Sequence, residues 1–139
     1  DSRLSRFTDD ELAMFRNLRG LSPKHFRALL KIGTWTRSAG TDTLTEAGQP
    51  VGRLHYVLEG KVAIGKGERT ITSGPAVFIG ELAFLRDKPA TATVSVAPGA
   101  LYMSWPRGAL QAALVKDESL KNALAALLNA EMAEKVANA

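Results

Sequence analysis

The sequence predicts a mainly β domain with helices at both ends, an α+β arrangement, and two observations carry this prediction. From Thr34 onward, glycines at positions 40, 48, 52, 60, 65, 67 and 74 separate short runs rich in β-branched and aromatic residues. This spacing is typical of the strands and tight turns of a β-sandwich or β-barrel. On either side of this region, apolar residues recur at helical spacing instead, which indicates flanking helices.

The N-terminal part predicts two helices with clear start signals. Thr8 and Glu11 have the spacing of a capping box, in which each side chain satisfies an amide at the helix start. A second helix is predicted to follow Ser22 as its N-cap and to end at Gly33. His25 lies in its first turn, where we expect a solvated side chain.

The glycine-rich region contains several runs with the two-residue period of strands. Residues 54–58 (LHYVL) alternate between two faces, and residues 59–61 (EGK) are predicted to form a turn into the next strand. Residues 91–96 (TATVSV) alternate as well, and we expect their hydroxyl side chains to form a polar, ligand-facing side opposite the two valines. In residues 101–105 (LYMSW), Trp105 is expected to be a buried aromatic that closes the β-structure.

The C-terminal part predicts two more helices. Pro106 is placed at the first position of one, where its missing N–H costs nothing. Asp117 is the predicted N-cap of a long final helix, in which residues 120, 124, 128, 132 and 136 form an apolar stripe. Part of that stripe must cover the β-structure, and its distal end is predicted to pair with a second copy in a homodimer.

The composition is that of one soluble globular domain, with 139 residues, 45% hydrophobic and 23% charged. Cysteine is absent, which excludes disulfides and thiolate metal sites and fits a reducing, cytoplasmic compartment. No apolar run reaches the roughly 18 residues of a membrane span, and no signal peptide is seen. Because the chain begins at Asp1 without a methionine, we expect it to be a fragment of a longer protein.

The formal net charge is +4, and the excess of basic residues lies at the N-terminal end. Up to Arg37 there are eight Lys or Arg against four acids. Such a segment suits a surface that approaches anionic lipid or nucleic acid. We favour solvated helical faces, because no basic cluster is dense in the sequence. Nucleic acid is not an expected partner, since charge is balanced over the rest and no recognition helix is visible.

Catalysis and metal binding are not predicted. The two histidines, His25 and His55, are thirty residues apart, and no His-x-His pair is present, so the ligands of a metal centre are missing. No nucleophile with a nearby base is visible either. A binding or interaction function is therefore expected rather than an enzyme.

Residues 78–96 (FIGELAFLRDKPATATVSV) have the features of an anion site. Gly80 lets the backbone approach a ligand, and the residues after it predict a short helical turn whose first amides lack intrahelical partners. Glu81 repels a phosphate, but its carboxylate accepts hydrogen bonds from sugar hydroxyls. Amides for a phosphate beside a carboxylate for a ribose indicate a nucleotide.

This segment resembles the phosphate-binding cassette of cyclic nucleotide-binding domains of the catabolite-activator and protein-kinase-A regulatory type. The resemblance rests on Gly80-Glu81-Leu82-Ala83, Pro89 and Ala92-Thr93-Val94, against the family pattern FGELAL…PRxATV. It extends over the whole chain and implies N-terminal helices in residues 1–33 and two C-terminal helices in residues 106–139. Between them, residues 34–105 are expected to form an eight-stranded β-roll, a double-stranded β-helix jelly roll.

The resemblance implies a regulatory domain whose ligand is cAMP or cGMP, with no other cofactor. The implied site residues are Gly80, Glu81, Leu82, Ala83, Ala90, Thr91 and Ala92. Amides of the cassette would face the phosphate and Glu81 the ribose 2′-hydroxyl. Thr91 stands where some members place a hydroxyl near the purine 2-amino group, which favours cGMP, but it is equally an ordinary strand residue.

Ala90 departs from the family pattern, because the family carries an arginine there that pairs with the cyclic phosphate. Such a guanidinium–phosphate contact is strong, and its loss is expected to weaken binding by roughly 1.5–3 kcal/mol. Arg86 and Lys88 lie nearby and are expected to be solvated. The alternative function is an interaction or dimerisation module that has kept the fold and lost the ligand.

Within this superfamily the chain is most similar to the Popeye-like branch. Residues 101–107 (LYMSWPR) and 133–136 (AEKV) resemble the end of that branch's domain, which also lacks the cassette arginine. Popeye-type domains follow membrane helices, so the resemblance implies attachment to a membrane through segments outside this chain. No helix-turn-helix signature follows the final helix, which disfavours a complete transcription factor.

Overall fold

A computed structural model of the chain describes residue 4 and residues 6–137, and at residues 135–137 it describes the backbone alone. The helices are α1 (Asp9–Asn17), α2 (Pro23–Ile32), α3 (Glu81–Arg86), α4 (Arg107–Lys116) and α5 (Glu118–Ala137). The strands are β1 (Thr34–Arg37), β2 (Asp42–Thr45), β3 (Arg53–Glu59), β4 (Val62–Lys66), β5 (Arg69–Ser73), β6 (Val77–Ile79), β7 (Thr93–Val96) and β8 (Leu101–Pro106).

The eight strands form two antiparallel sheets of four. The first has the order β1-β8-β3-β6 and the second the order β2-β7-β4-β5. Strands distant in sequence pair directly, as in the register of Leu54 with Trp105 and of Asp42 with Val96. The prediction of a mainly β jelly roll with flanking helices is confirmed.

The helices pack on the outer face of the first sheet and form the larger hydrophobic core. Trp105 is 1% exposed, and its Nε1 donates a hydrogen bond to the carbonyl oxygen of Leu29 at 2.9 Å, which ties β8 to α2. Gly33, at the end of α2, lies directly against β8: a Cβ added to it would be 2.5 Å from Sδ of Met103 and 2.8 Å from Nε1 of Trp105. This position therefore needs glycine for close approach, whereas its φ of −80° is ordinary.

A second, smaller core lies between the two sheets. Its fully buried members include Val57, Val62 and Val96. Along β3, Val57 alternates with Tyr56 and Leu58, which belong to the larger core, as the period of two requires. His55 is also buried at this level, with its Nδ1 2.7 Å from Oγ of Ser104. Burial lowers the pKa of His55 from 6.5 to about 4, against the opposing effect of a backbone hydrogen bond at Leu44.

The predicted helix signals are confirmed at three starts. Thr8 and Glu11 form a reciprocal capping box, and Ser22 accepts a hydrogen bond from the amide of His25 at 3.1 Å. Asp117 caps α5, because its Oδ1 accepts from the amide of Leu120 at 3.1 Å.

Two local predictions were wrong. Pro106 is the N-cap residue rather than the first residue of α4, because it still pairs with Arg53 in the sheet. His25 is not a solvated side chain, since its Nε2 lies 2.8 Å from Oγ of Ser119 at the start of α5. Both departures come from contacts between segments that are far apart in the sequence.

Candidate ligand-binding site

The candidate site begins where the edge strand β6 turns into α3. Gly80 makes this turn with φ at +90°, a left-handed conformation that residues with a Cβ rarely adopt. An added Cβ would also lie 3.1 Å from Cγ1 of Val51 and 3.2 Å from the carbonyl oxygen of Arg53. Both the conformation and the space at this turn therefore require glycine.

A cavity of about 230 Å³ opens beside this turn. All seven residues that the sequence predicted for the site line it: Gly80, Glu81, Leu82, Ala83, Ala90, Thr91 and Ala92. The remaining lining residues are Thr45, Val51, Ile64, Ile79, Pro89 and Val94. The fold thus brings two parts of the cassette, residues 80–83 and residues 89–92, to the same cavity.

The first turn of α3 supplies backbone donors at the cavity. The first hydrogen bond within this helix runs from the amide of Phe84 to the carbonyl oxygen of Gly80 at 3.1 Å. The amides of Leu82 and Ala83 precede that bond and have no partner within the helix. An anion in the cavity is the kind of acceptor that such amides bind.

The segment around Ala90 is fixed by a neighbouring turn. The carbonyl oxygen of Ala90 accepts from the amide of Gly48 at 2.8 Å, and its amide donates to the carbonyl oxygen of Gln49 at 3.0 Å. Next to it, Oγ1 of Thr45 donates to the carbonyl oxygen of Ala92 at 3.0 Å. The backbone direction of Ala90, and hence the direction of any side chain placed there, is set by these bonds.

The predicted polar, ligand-facing side of residues 91–96 was wrong. Ala92 and Val94 line the cavity, whereas Thr93 is exposed and accepts a hydrogen bond from the amide of Ala47 at 3.0 Å. Thr91 also lines the cavity, but it precedes β7 and so does not follow the alternation of that strand. The inner face of the second sheet is apolar because it belongs to the core between the sheets.

Charge is sparse at this cavity. Glu81, which is half-buried, is the single ionisable residue among the described residues that line it. Arg86 and Lys88 are exposed, as predicted, and do not line it. The site therefore has backbone donors for an anion, but no lysine or arginine stands among the described residues of its lining.

The loop that follows α3 is joined to the start of α4. Nη1 of Arg107 lies 2.6 Å from Oδ1 of Asp87, and the backbone amide of Arg107 donates to the carbonyl oxygen of Gly52 at 2.9 Å. Asp87 adopts a left-handed conformation with φ at +51° at the C-terminus of α3. The cassette loop is thus in direct contact with the first residue of α4.

Sequence reasoning missed the part of the lining that comes from the first half of the β-roll. Thr45, Val51 and Ile64 reach the cavity from β2, from the following loop and from β4. Their types are those of ordinary strand residues, so nothing in the sequence set them apart. The pairing of β2 with β7 is the feature that brings Thr45 to the cassette.

In the part of the chain that the structure describes, no three His, Asp or Glu side chains are grouped so that they could hold a metal ion. None of its helices combines the length and the apolar character that crossing a membrane requires.

The family model for the cyclic nucleotide-binding domain matches residues 37–117 of this sequence. The chain belongs to this family. The matched range runs from the end of β1 to the N-cap of α5 and contains the complete cassette. Among curated protein sequences, no significant match is found.

Several solved structures share this fold. A cyclic nucleotide-binding domain from Methylobacillus flagellatus is 17% identical with a TM-score of 0.81, over 92% of this chain and 79% of that one. The N-terminal domain of a transcriptional regulator from Streptomyces coelicolor is 25% identical with a TM-score of 0.69, over 95% and 96%. The catabolite activator protein of Thermus thermophilus is 20% identical with a TM-score of 0.68, over 88% of this chain but 60% of that one.

Proposed function

We propose that this domain is a regulatory sensor that binds a cyclic nucleotide, cAMP or cGMP, in the cavity beside Gly80. The observation that carries the proposal is that all seven cassette residues line one cavity in a chain of the cyclic nucleotide-binding family. The proposed function is regulation by ligand binding, without a catalytic step.

In this proposal the cyclic phosphate faces the backbone and the ribose faces Glu81. The amides of Gly80, Leu82 and Ala83 donate to the phosphate oxygens, since those of Leu82 and Ala83 have no partner within α3. The carboxylate of Glu81 accepts a hydrogen bond from the ribose 2′-hydroxyl. The apolar lining from Val51, Ile64 and Val94 covers the remaining face of the ligand.

The signal passes from the cassette to the C-terminal helices. Arg107 begins α4 and is paired with Asp87 of the cassette loop, so the two segments move as neighbours. A ligand shifts such an arrangement only by its different affinity for the two states of the domain. The proposed output is therefore a change in the position of α4 and α5.

A second candidate function is an interaction module that has kept the fold and no longer binds a nucleotide. The described residues of the lining include no lysine or arginine, and Ala90 stands at the arginine position, which favours this function. The cavity volume of about 230 Å³ is also below the roughly 300–1,000 Å³ that is usual for small-molecule sites. A nucleotide would have to widen the cavity or extend beyond it.

The cellular setting is proposed from the resemblance to the Popeye-like branch. On this basis the domain lies in the cytoplasm and is attached to a membrane by segments outside these 139 residues. The exposed part of α5 is the proposed surface for a homodimer. The membrane setting rests on the sequence similarity, and the homodimer rests on alanines along α5, such as Ala126 and Ala130, which permit close helix contact.

Calorimetric titration of the purified domain with cAMP and with cGMP at low salt tests the proposal. We expect saturable binding of one of them, weakened about 10- to 100-fold by Glu81→Ala, since hydrogen bonds to charged groups contribute about 1.5–3 kcal/mol. Glu68→Ala, at an exposed glutamate in the turn between β4 and β5, is the matched control and should bind like the wild type.

Two results would count against the sensor. If neither nucleotide gives heat at millimolar concentration, the interaction module becomes the better account. If Glu81→Ala, shown by circular dichroism to be folded, binds as well as the wild type, the assigned ribose contact is wrong.

A further inference from the structure

A groove between α2 and α4 has a basic rim and an apolar floor. Its volume is about 470 Å³, and its rim consists of Lys24, Arg27, Lys31 and Lys116. Ile32 and Leu120 are among the residues of its floor. The first three cations belong to α2 and the fourth to the last turn of α4, so the cluster exists only in the folded chain. We refer to this feature as the basic groove.

The three cations of α2 lie on one face of that helix. Lys24, Arg27 and Lys31 are spaced at i, i+3 and i+7, the spacing at which side chains align along a helix. No acid occurs anywhere in α2, and Lys24 is in the first turn, where the helix dipole favours a negative charge. The stability of the helix therefore does not account for a lysine at this position.

The three lysines of the rim, Lys24, Lys31 and Lys116, have no close ion-pair partner among the described residues. Asp117 is the one acid among the described residues of the groove lining. Its Oδ1 accepts hydrogen bonds from the amide of Leu120 and from Oγ of Ser119, which lower its pKa, and Lys24 adds a weaker electrostatic contribution without a close ion pair. The three lysines are exposed, so their ammonium groups are accessible to a partner.

We propose that the basic groove binds an acidic segment of a partner protein, in which an apolar side chain stands between carboxylates. The apolar side chain enters the groove between α2 and α4, and the carboxylates pair with the lysines on the rim. The concave shape favours an inserted segment over a planar bilayer, which would contact the rim and leave the floor uncovered. This inference does not depend on nucleotide binding.

The test begins with an array of synthetic peptides in which Leu, Ile or Phe stands between Glu and Asp residues. Each peptide has a counterpart with Gln and Asn instead. Peptides retained by the domain are then measured by fluorescence anisotropy against the wild type and two triple variants. The first variant is Lys24→Glu/Lys31→Glu/Lys116→Glu. The matched control is Lys61→Glu/Lys66→Glu/Arg69→Glu, at three exposed positions in the turn before β4 and on the β4–β5 hairpin.

We expect acidic peptides to bind in preference to their amide counterparts and the groove variant to lose about 100-fold in affinity, because three attractions become repulsions. The control variant should stay within about threefold of the wild type, since its charges lie outside the groove. Thermal melting should show both variants to be folded, as all six positions are exposed.

Three outcomes would overturn the proposal. One is an array in which acidic peptides are retained no better than amide peptides. Another is an equal loss of affinity in the two triple variants, which would mean unspecific charge attraction. The third is a different occupant of the groove. It would be recognised if no peptide of the array were retained, while binding to phosphatidylserine vesicles or self-association in sedimentation required the same three lysines.

Discussion

Replacing Ala90 by arginine should supply the positive charge that the cavity lining lacks. Ala90 is half-buried at the cavity, and both of its backbone groups are hydrogen-bonded to the turn at Gly48 and Gln49. A side chain at this position therefore points to the cavity in the variant as it does in the wild type. Arginine brings five donors in a planar fork that matches a phosphate.

The expected gain in the free energy of nucleotide binding lies near the lower end of the range for hydrogen bonds to charged groups. That range is about 1.5–3 kcal/mol, and ordering a long side chain costs about 0.5–1.5 kcal/mol. Because the cavity is also open to solvent, we expect a net gain of about 1.5 kcal/mol, which corresponds to about tenfold tighter binding of a cyclic nucleotide. The gain should decrease as salt is added, since exposed charges are screened.

Calorimetry with cAMP and cGMP over a range of salt concentrations measures this gain. Ala90→Gln is the matched control, because it adds a polar side chain of intermediate length without the charge. The reasoning would be refuted if the arginine variant, folded like the wild type, bound neither nucleotide more tightly than the glutamine variant.

The remaining predictions concern two glycines and a buried histidine. Gly80→Ala should lower the free energy of unfolding by about 2 kcal/mol and abolish nucleotide binding, because it strains a positive φ and crowds the cavity wall. Gly99→Ala, at a similar φ of +85° but with open space around it, should be strained in the same way and should leave nucleotide binding unchanged. Gly33→Ala should lower the free energy of unfolding, measured in urea, by about 1–3 kcal/mol, because the added methyl group overpacks the core. Gly40→Ala, at a position with open space, should be neutral or slightly stabilising. Equal effects of the two substitutions would contradict this reasoning. The pKa of His55 is lowered to about 4 in the folded protein, so as the pH falls this side chain is protonated in the unfolded chain before it is protonated in the folded one. The free energy of unfolding should therefore fall by about 2 kcal/mol between pH 7 and pH 4.5. His55→Gln should lose most of this dependence in unfolding measured at the two pH values, and an unchanged slope would show that other groups cause it.

Much of the architecture could be predicted because its signals are local. The capping box at Thr8 and the caps at Ser22 and Asp117 depend on residues three positions apart, and each was found where the sequence placed it. The strands and turns were indicated by glycine spacing and alternation. Trp105 was expected to be buried, and it is, although its hydrogen bond to Leu29 could not be read from the sequence.

Other features depend on which segments meet, and a single sequence does not reveal this. The ligand-facing side of residues 91–96 was assigned to the hydroxyls because polarity suggested it, whereas packing between the sheets turns Val94 inward. His25 was expected to be solvated because Ser119 is ninety-four residues away. The basic groove could not be predicted from the sequence either, since Lys116 lies next to the cations of α2 only in the folded chain.

The most direct test of the central claim is a map of amide chemical shifts in the ¹⁵N-labelled domain during titration with cAMP and with cGMP. The account predicts saturable shifts that are largest at Gly80, Leu82 and Ala83 and at residues 90–92, followed by smaller ones at the start of α4. A titration to millimolar ligand that leaves these amides unchanged, or that moves only amides remote from the cavity, would contradict it.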